Sequence, residues 1–491
     1  MGKYNFDEVI DRHGSGCMKI DDLRALYGKD DLTPLWIADM DFRVCPEITD
    51  ALTRRISHPI YGYSRPAESY WNSIVDWLDR RHGFKVERRE LTYLPGVVKG
   101  IAYVVNYFTR PGDKVVIQPP VYHPFRIVVE GNGRVVVPNP LIPDANGSGY
   151  SMDLEGLERV FAEQRPALMI LCNPHNPVGI QWDRATLAEV GRLARIYGVT
   201  VVSDEIHGDL MLGERRHYPF AACSDECASV AITFGAPSKT FNIPGLVSSW
   251  CVIKNPALRE PFFNWLEVNE FNAPTFISTI GTEAAYSYGE PWLEEVLDYI
   301  EGNIAFVRRY LEQKLPQISM VTPQASFLVW MDFRSLNLSH EELVDLVVNH
   351  AGLALNDGEM FGPQGHGFMR VNVATPRCEL EHALEKLRLA LQEGVSNGPS
   401  GASLVGNSVS VIDIRQLPST SPASSYHLNR SDSALRHPDG FRQTNRRNLN
   451  VGTHGSCVQI YQLEFTKLHG RTNRASLHFG GFSTPTSGEK Y

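Results

Sequence analysis

Residues 229–247 read SVAITFGAPSKTFNIPGLV and contain a single lysine, Lys239. The apolar, β-branched run at 230–234 is typical of a buried strand, and the small residues and proline at 235–238 end it. Lys239 is therefore expected at a strand end, where α/β sheets bind ligands. Burial disfavours the charged form of an amine, which favours a lysine able to condense with a carbonyl group. An isolated Ser-Lys pair more often lies in a surface loop, so the interpretation depends on neighbouring motifs.

Two apolar segments before this stretch also end in polar side chains. Residues 199–206 (VTVVSDEI) end near Asp204 and Glu205, and residues 167–171 lead into NPHNPVG at 173–179. From residue 114 onward, strands that are apolar on both faces alternate with helical segments. This alternation predicts a doubly wound, mostly parallel α/β sheet with right-handed connections.

The motif order Asn-Pro-x-Asn-Pro-x-Gly, Asp-x-x-His, Ser-Lys resembles that of the fold-type I pyridoxal-phosphate enzymes, the aspartate aminotransferase superfamily. Further text, PLWIADMDF at 34–42, YGYS at 61–64 and SDEIHGD at 203–209, is similar to the MalY/PatB-type carbon–sulfur β-lyases. The resemblance covers about residues 3–393. It implies a PLP-dependent transferase-like large domain with a seven-stranded sheet, and a smaller α+β domain built from N- and C-terminal segments.

The resemblance also implies domain boundaries. Residues 1–48 would join the small domain, residues 49–289 would form the large cofactor-binding domain, and residues 290–394 would complete the small domain. Residues 395–491 are polar, have no sustained helical or strand period, and carry ten Lys/Arg against five Asp/Glu. Such a composition predicts a disordered tail.

Pyridoxal 5′-phosphate is the cofactor that the resemblance implies, with Lys239 as its covalent attachment point and as general base. Asp204 would keep the pyridine nitrogen protonated, and Asn176 and His207 would approach the ring oxygen. The resembling aminotransferases have a tyrosine where His207 falls. The ring of Tyr122 follows two prolines at a strand end and would stack on the cofactor.

A strand, a glycine turn and a helix start at residues 91–98 direct backbone N–H groups to one point, which suits a phosphate. By resemblance, the cofactor phosphate would bind the backbone of Gly96, Val97 and Val98 together with Ser238. By resemblance, Tyr61 would reach the cofactor phosphate of the other subunit, which predicts a homodimer with shared active sites.

The predicted substrate is a small-molecule amino acid whose carboxylate binds Arg370. This arginine lies among apolar neighbours in a predicted strand, and a buried arginine requires a partner that suits its planar fork. The resemblance places Ala38 and Asp39 near the substrate. Cys223 and Cys227 lack a second ligand pair, so no metal is expected.

These motifs leave the reaction open between two outcomes. The segments that resemble the MalY/PatB-type enzymes favour β-elimination of L-cystathionine or a related cysteine S-conjugate to a thiol, pyruvate and ammonia. The alternative is a class I/II aminotransferase of amino acids. A second alternative is a PLP-binding regulatory protein with incidental catalysis, which the complete catalytic set disfavours.

Composition excludes several other classes. The content of 43% hydrophobic and 21% charged residues is typical of a globular protein. The net charge of −9 argues against a basic surface that binds nucleic acid. No apolar run is long enough to span a bilayer, and the N-terminus lacks the apolar core of a secretory signal. Eight scattered cysteines favour reduced thiols. A cytoplasmic enzyme without membrane or nucleic-acid partners is therefore expected.

Overall fold

The computed structural model describes residues 2–145 and 147–396, which belong to one compact unit. Its last helix ends at Ser396, two residues beyond the predicted boundary at 394. The rest of the predicted disordered tail lies outside the described residues. Within the part of the chain that is described, no helix is both long and apolar enough to cross a membrane.

Fifteen α-helices occur in the described ranges. They are α1 Met18–Asp21, α2 Leu23–Tyr27, α3 Pro46–Ile56, α4 Glu68–His82, α5 Val97–Phe108, α6 Pro124–Gly131, α7 Leu154–Gln164, α8 Arg184–Tyr197, α9 Asp225–Val230, α10 Pro237–Thr240, α11 Pro256–Val268, α12 Phe276–Tyr288, α13 Glu290–Lys314, α14 His340–Asp345 and α15 Arg377–Ser396.

The same ranges contain fifteen strands. They are β1 Thr33–Pro34, β2 Leu91–Leu94, β3 Lys114–Ile117, β4 Val135–Pro138, β5 Ile142–Pro143, β6 Tyr150–Ser151, β7 Leu168–Cys172, β8 Thr200–Asp204, β9 Ala231–Gly235, β10 Ser249–Val252, β11 Ser319–Val321, β12 Leu328–Asp332, β13 Leu353–Ala354, β14 Asn356–Asp357 and β15 Phe368–Asn372.

Seven of these strands form the central sheet, in the order β2-β10-β9-β8-β7-β3-β4. The five strands from β9 to β4 in this order are parallel, whereas β10 runs antiparallel to both of its neighbours. The predicted fold class, an α/β protein with a seven-stranded, mostly parallel sheet, is confirmed.

Both faces of the sheet are buried, as the continuous apolar runs predict. In β7, Leu168 and Ile170 belong to one hydrophobic cluster, which also contains residues of α5, α6 and α11. Met169 and Leu171 belong to another, with residues of α4, α7 and α8. Burying each of these side chains contributes about 1.5–3 kcal/mol, so the layers on either side hold the strand ends in place.

A second, antiparallel sheet has the order β11-β12-β15-β14. The N-terminal segment joins this region, because β1 pairs in parallel with β13 and the Asn372 side chain donates to the carbonyl oxygens of Ile37 and Asp39 at 2.6 Å each. This pairing places the segment after β1 across the C-terminal part of the chain. The boundaries of the two proposed domains stay a prediction.

Candidate active site

The carboxyl ends of three neighbouring parallel strands carry the predicted motifs. Cys172 at the end of β7 pairs with Asp204 at the end of β8, and Asp204 pairs with Phe234 near the end of β9. The segments after these strands carry Asn176, His207 and Lys239. Parallel register therefore brings three motifs that are distant in sequence to one edge of the sheet.

A cavity of about 2270 Å³ opens at this edge. Twelve of the thirteen predicted site residues line it: Ala38, Asp39, Gly96, Val97, Val98, Tyr122, Asn176, Asp204, His207, Ser238, Lys239 and Arg370. The exception is Tyr61. The roles assigned to these residues stay predictions, but the structure brings the twelve together.

Lys239 lies shortly after the end of β9, in the four-residue helix α10, which begins at Pro237. Its amine donates a hydrogen bond of 2.5 Å to the carbonyl oxygen of Ala38. Burial lowers the pKa of this amine to about 8, and the positive charge of Arg370 adds to the effect, while Asp39 and Asp204 oppose it. A neutral amine is thus accessible near neutral pH.

Asp204 is a buried carboxyl group, 4% exposed, at the end of β8. Its Oδ1 accepts a hydrogen bond of 3.1 Å from the Ile206 N–H, and no cation in the described ranges forms an ion pair with it. Burial raises the pKa of this group to about 7, with a further rise from Glu205 and an opposing effect of Lys239. A cationic ligand group would offset the cost of burying the ionised carboxylate.

The raised pKa of Asp204 predicts a pH dependence of folding stability. In the cofactor-free protein the native state retains a proton that the unfolded chain releases above its ordinary pKa of 3.8, so stability falls as pH rises from about 4 to about 7. The Asp204→Asn variant should lose this pH dependence, which amounts to up to about 4 kcal/mol of unfolding free energy. Urea denaturation at about pH 4.5 and about pH 7.5 measures it.

The exposed Asp298 supplies a control, since Asp298→Asn should leave the difference between the two pH values unchanged. If wild type and Asp204→Asn show the same change in unfolding free energy between the two pH values, Asp204 is already ionised in the native state and the expectation is wrong.

His207 is 3% exposed, and its Nδ1 has no hydrogen-bond partner among the described residues. Burial lowers the pKa of this imidazole to about 3, and the charges of Lys239 and Arg370 lower it further. The ring is therefore neutral, and its unpaired nitrogen is available to a ligand that occupies the cavity.

Arg370, in β15, is buried but contacts no carboxylate in the described part of the chain. Its Nη1 donates to Asn176 Oδ1 at 3.0 Å, and its Nη2 donates to the Trp36 carbonyl oxygen at 3.1 Å and to the Asn356 side chain. Its Nε has no hydrogen-bond partner among the described residues, and burial lowers the pKa of the guanidinium to about 10. The carboxylate that the sequence demands for this arginine is therefore not supplied by the described chain.

The start of α5 gives the predicted strand–glycine–helix arrangement. Gly96 precedes the helix with a φ of 105°, a conformation that favours glycine. Its own N–H donates to Ser249 Oγ and to the Leu94 carbonyl oxygen, at 3.1 and 2.9 Å. The groups free to bind an anion are therefore the first N–H groups of the helix, at Val97 and Val98.

Ala38 and Asp39 differ in their contacts. The Ala38 carbonyl faces Lys239, whereas Asp39 is held by Arg12 at 2.6 Å and by Lys19 at 3.6 Å. The two cations also bind Asp41, each at 2.6 Å. This charged cluster fixes the N-terminal segment at the cavity. Sequence reasoning missed Arg12 and Lys19, because no local pattern links them to the aspartates.

Tyr61 lies outside the cavity of its own chain. It is 59% exposed, its ring stacks on Phe276 at 5.8 Å, and its hydroxyl donates to the Ile56 carbonyl oxygen at 2.7 Å. Its predicted role concerns a partner subunit and stays a prediction.

Comparison with known proteins identifies relatives along most of the chain. The model of the family "Aminotransferase class I and II" matches residues 30–387. The cystathionine beta-lyase PatB of Bacillus subtilis is 42% identical over 387 residues, which cover 79% of this chain and 100% of PatB. Protein MalY of Escherichia coli is 32% identical over 391 residues, 79% of this chain and 99% of MalY.

A solved structure shares the fold. The PLP-bound putative aminotransferase from Clostridium difficile superposes with a TM-score of 0.77 at 40% identity, over 79% of this chain and all of that chain. Together with the strand order and the cavity, these similarities confirm the predicted resemblance. The chain belongs to the aminotransferase class I and II family, in the group that contains PatB and MalY.

Proposed function

We propose that this protein is a pyridoxal-phosphate-dependent carbon–sulfur β-lyase. It cleaves L-cystathionine, or a related cysteine S-conjugate, with one water to homocysteine or another thiol, pyruvate and ammonia. The observation that carries the proposal is the 42% identity over the full length of a cystathionine beta-lyase. The site geometry supports PLP chemistry but fits elimination and transamination equally.

Pyridoxal 5′-phosphate fits the groups that the cavity leaves without partners. Within the described part of the chain, the buried Asp204 has no ion pair and the Nδ1 of His207 has no hydrogen-bond partner; the first suits a protonated ring nitrogen and the second a polar ring substituent. The start of α5 and Ser238 suit a phosphate. When bound, the cofactor supplies an electron-poor ring that stabilises negative charge at the substrate Cα.

The residues of the chain divide the remaining work. Arg370 binds the substrate carboxylate, which replaces its missing anion and fixes the orientation of Cα. Lys239 would hold the cofactor, and once substrate is bound its amine would be free to act as a base. Its free amine, with a pKa near neutrality and held by the Ala38 carbonyl, removes the Cα proton. The thiolate leaves Cβ with the electron pair of the C–S bond.

Aminotransferase activity is the second candidate, favoured by the 40% identity to the PLP-bound putative aminotransferase described above. In transamination, Lys239 would return the proton taken from Cα to a different carbon atom, and the thiolate would stay on Cβ. A regulatory role with incidental catalysis is compatible with the same site residues. It predicts little turnover.

Acceptor dependence separates these functions. With L-cystathionine and no added 2-oxo acid, the purified protein should release thiol, pyruvate and ammonia in equal amounts over many turnovers. Elimination restores the starting enzyme in each cycle, whereas transamination leaves the amino group on the enzyme and stops after one turnover. A thiol reagent and a coupled pyruvate assay measure the products.

The result would favour the aminotransferase if product formed only with added 2-oxoglutarate or pyruvate, and if glutamate or alanine formed in step. Fewer than one product per active site under both conditions would favour the regulatory role.

Assembly and location complete the proposal. The exposed Tyr61 and its neighbours Ile60 and Tyr63, 67% and 113% exposed, support a homodimer in which this segment is covered by the partner. The measured mass of the active protein decides this point. The seven described cysteines form no disulfide, which supports a cytoplasmic location that cell fractionation would test.

A further inference from the structure

Asp209 is the centre of a buried group of polar side chains beneath the cavity. It is 8% exposed and accepts hydrogen bonds from Trp77 Nε1 at 2.9 Å and from Thr240 Oγ1 at 2.8 Å, while His82 Nε2 lies 2.7 Å from its Oδ1. Although burial opposes it, these hydrogen bonds keep the pKa of Asp209 below its ordinary value. We refer to Trp77, His82, Asp209 and Thr240 as the Asp209 network.

A second buried pair adjoins this network. Glu205 lies 2.8 Å from His217 Nε2 and accepts hydrogen bonds of 2.8 Å from Ser203 Oγ and from the Phe220 N–H. The rings of His217 and His82 are in edge-to-face contact, with centroids 5.3 Å apart. Two buried carboxylates, each with its histidine, are thus packed together beneath the strand ends.

The network residues are sequence neighbours of the site residues. Thr240 follows Lys239, Asp209 lies two residues after His207, and Glu205 follows Asp204. None of Glu205, Asp209 and Thr240 lines the cavity, whereas their neighbours do. The hydrogen bond from Thr240 to Asp209 therefore joins the segment that carries Lys239 to the segment that carries Asp204 and His207.

Stability alone does not account for a charge at this position. Trp77 already packs on Phe241 and Tyr286, with ring centroids 5.6 and 5.2 Å apart, so aromatic contacts hold this side chain in addition to its hydrogen bond to Asp209. Replacing a buried ionic group with apolar side chains of similar volume is often neutral or stabilising. A fully satisfied polar network instead fixes one arrangement, and misplacing a reacting group by about 1 Å costs on the order of 10²-fold in rate.

We propose that Asp209 and Thr240 are positioning residues, which set the Lys239 amine relative to Asp204 and His207 without touching cofactor or substrate. This inference rests on the proposed function for its cofactor and its reaction. Its test therefore includes a measurement that needs no lyase activity.

The test variant is Thr240→Val, which keeps the shape of the side chain and replaces only the hydroxyl with a methyl group. In the cofactor-free protein, covalent capture of pyridoxal phosphate, followed by absorbance and by borohydride-trapped peptide mapping at Lys239, should slow on the order of tenfold. In the reconstituted enzyme, kcat should fall on the order of tenfold with KM within about twofold. Thr240→Ser, which restores the hydroxyl, should return both values to within about twofold of wild type.

Thr109→Val is the matched control. Thr109 is also buried, and its hydroxyl bonds the Val105 carbonyl and the Arg134 Nε, the latter at 2.8 Å, at the far end of α5. This variant should lose stability but keep wild-type capture and kcat. If Thr240→Val and Thr109→Val lose similar stability and both capture the cofactor at the wild-type rate, the network is only structural and the proposal is overturned.

Asp209→Asn gives an independent variant. An asparagine has one acceptor oxygen, so it cannot bind Trp77, His82 and Thr240 as the carboxylate does, and its capture rate should fall further than that of Thr240→Val. A wild-type capture rate in this variant would also overturn the proposal. A wild-type protein that captures the cofactor but releases no thiol would instead overturn the proposed function, and the capture rates would still test the network.

Discussion

The Lys239→Ala variant is expected to form no covalent adduct with pyridoxal phosphate and to lose at least about 10⁴-fold in turnover, since nucleophile and general base are lost together. The substitution removes a half-buried amine that donates to Ala38 and whose pKa lies near 8. Removing it leaves Asp204, His207 and Arg370 in place, so the variant should still bind the cofactor without a covalent bond.

Borohydride reduction followed by peptide mapping identifies the attached lysine. Lys114→Ala is the matched control, because Lys114 lies at the start of β3 and binds Gln164 away from the cavity. It should keep the adduct and the activity of the wild type. Trapping of cofactor on any other lysine of the wild-type protein would refute the assignment of Lys239, whatever the activity of the variants.

The sequence predicts the parts of the site that depend on local pattern. Apolar strands followed by polar residues place Asn176, Asp204 and Lys239 at strand ends, and the parallel register of β7, β8 and β9 then aligns them. Apolar residues at helical spacing between 68 and 82 predict a helix there, and α4 has these bounds because Gly83 adopts the left-handed conformation that ends it.

Contacts between distant segments are not encoded in any local period. The sequence pattern of β10 does not reveal that the strand is antiparallel, because both of its faces are buried whichever way it runs. Asp209 and His82 are 127 residues apart, and only the packing of α4 beside the sheet makes them neighbours. The neutral partners of Arg370 also come from three segments that only the fold brings together. The sequence therefore indicates that Arg370 needs a carboxylate, but not which groups surround the guanidinium.

Arg370→Met should lower kcat/KM for L-cystathionine by about 10²–10³-fold, as expected when one partner of a buried, hydrogen-bonded charge pair is removed, which costs about 2–5 kcal/mol. The loss should appear in KM and in kcat, because the carboxylate both binds the substrate and orients Cα. Covalent capture of pyridoxal phosphate should persist, since Lys239 and Asp204 are unchanged. Steady-state kinetics and the borohydride-trapped adduct measure the two effects separately.

Arg259→Met supplies the matched control for a buried arginine. Arg259 is 7% exposed and donates to the Ile253 and Lys254 carbonyl oxygens at 3.2 and 2.8 Å, so its loss should reduce stability without raising KM. An S-substituted cysteamine, which lacks the carboxylate, should inhibit wild type and Arg370→Met with similar affinity. If the variant loses as much affinity for this amine as for the amino acid, Arg370 maintains the shape of the cavity, and the carboxylate of the substrate binds elsewhere.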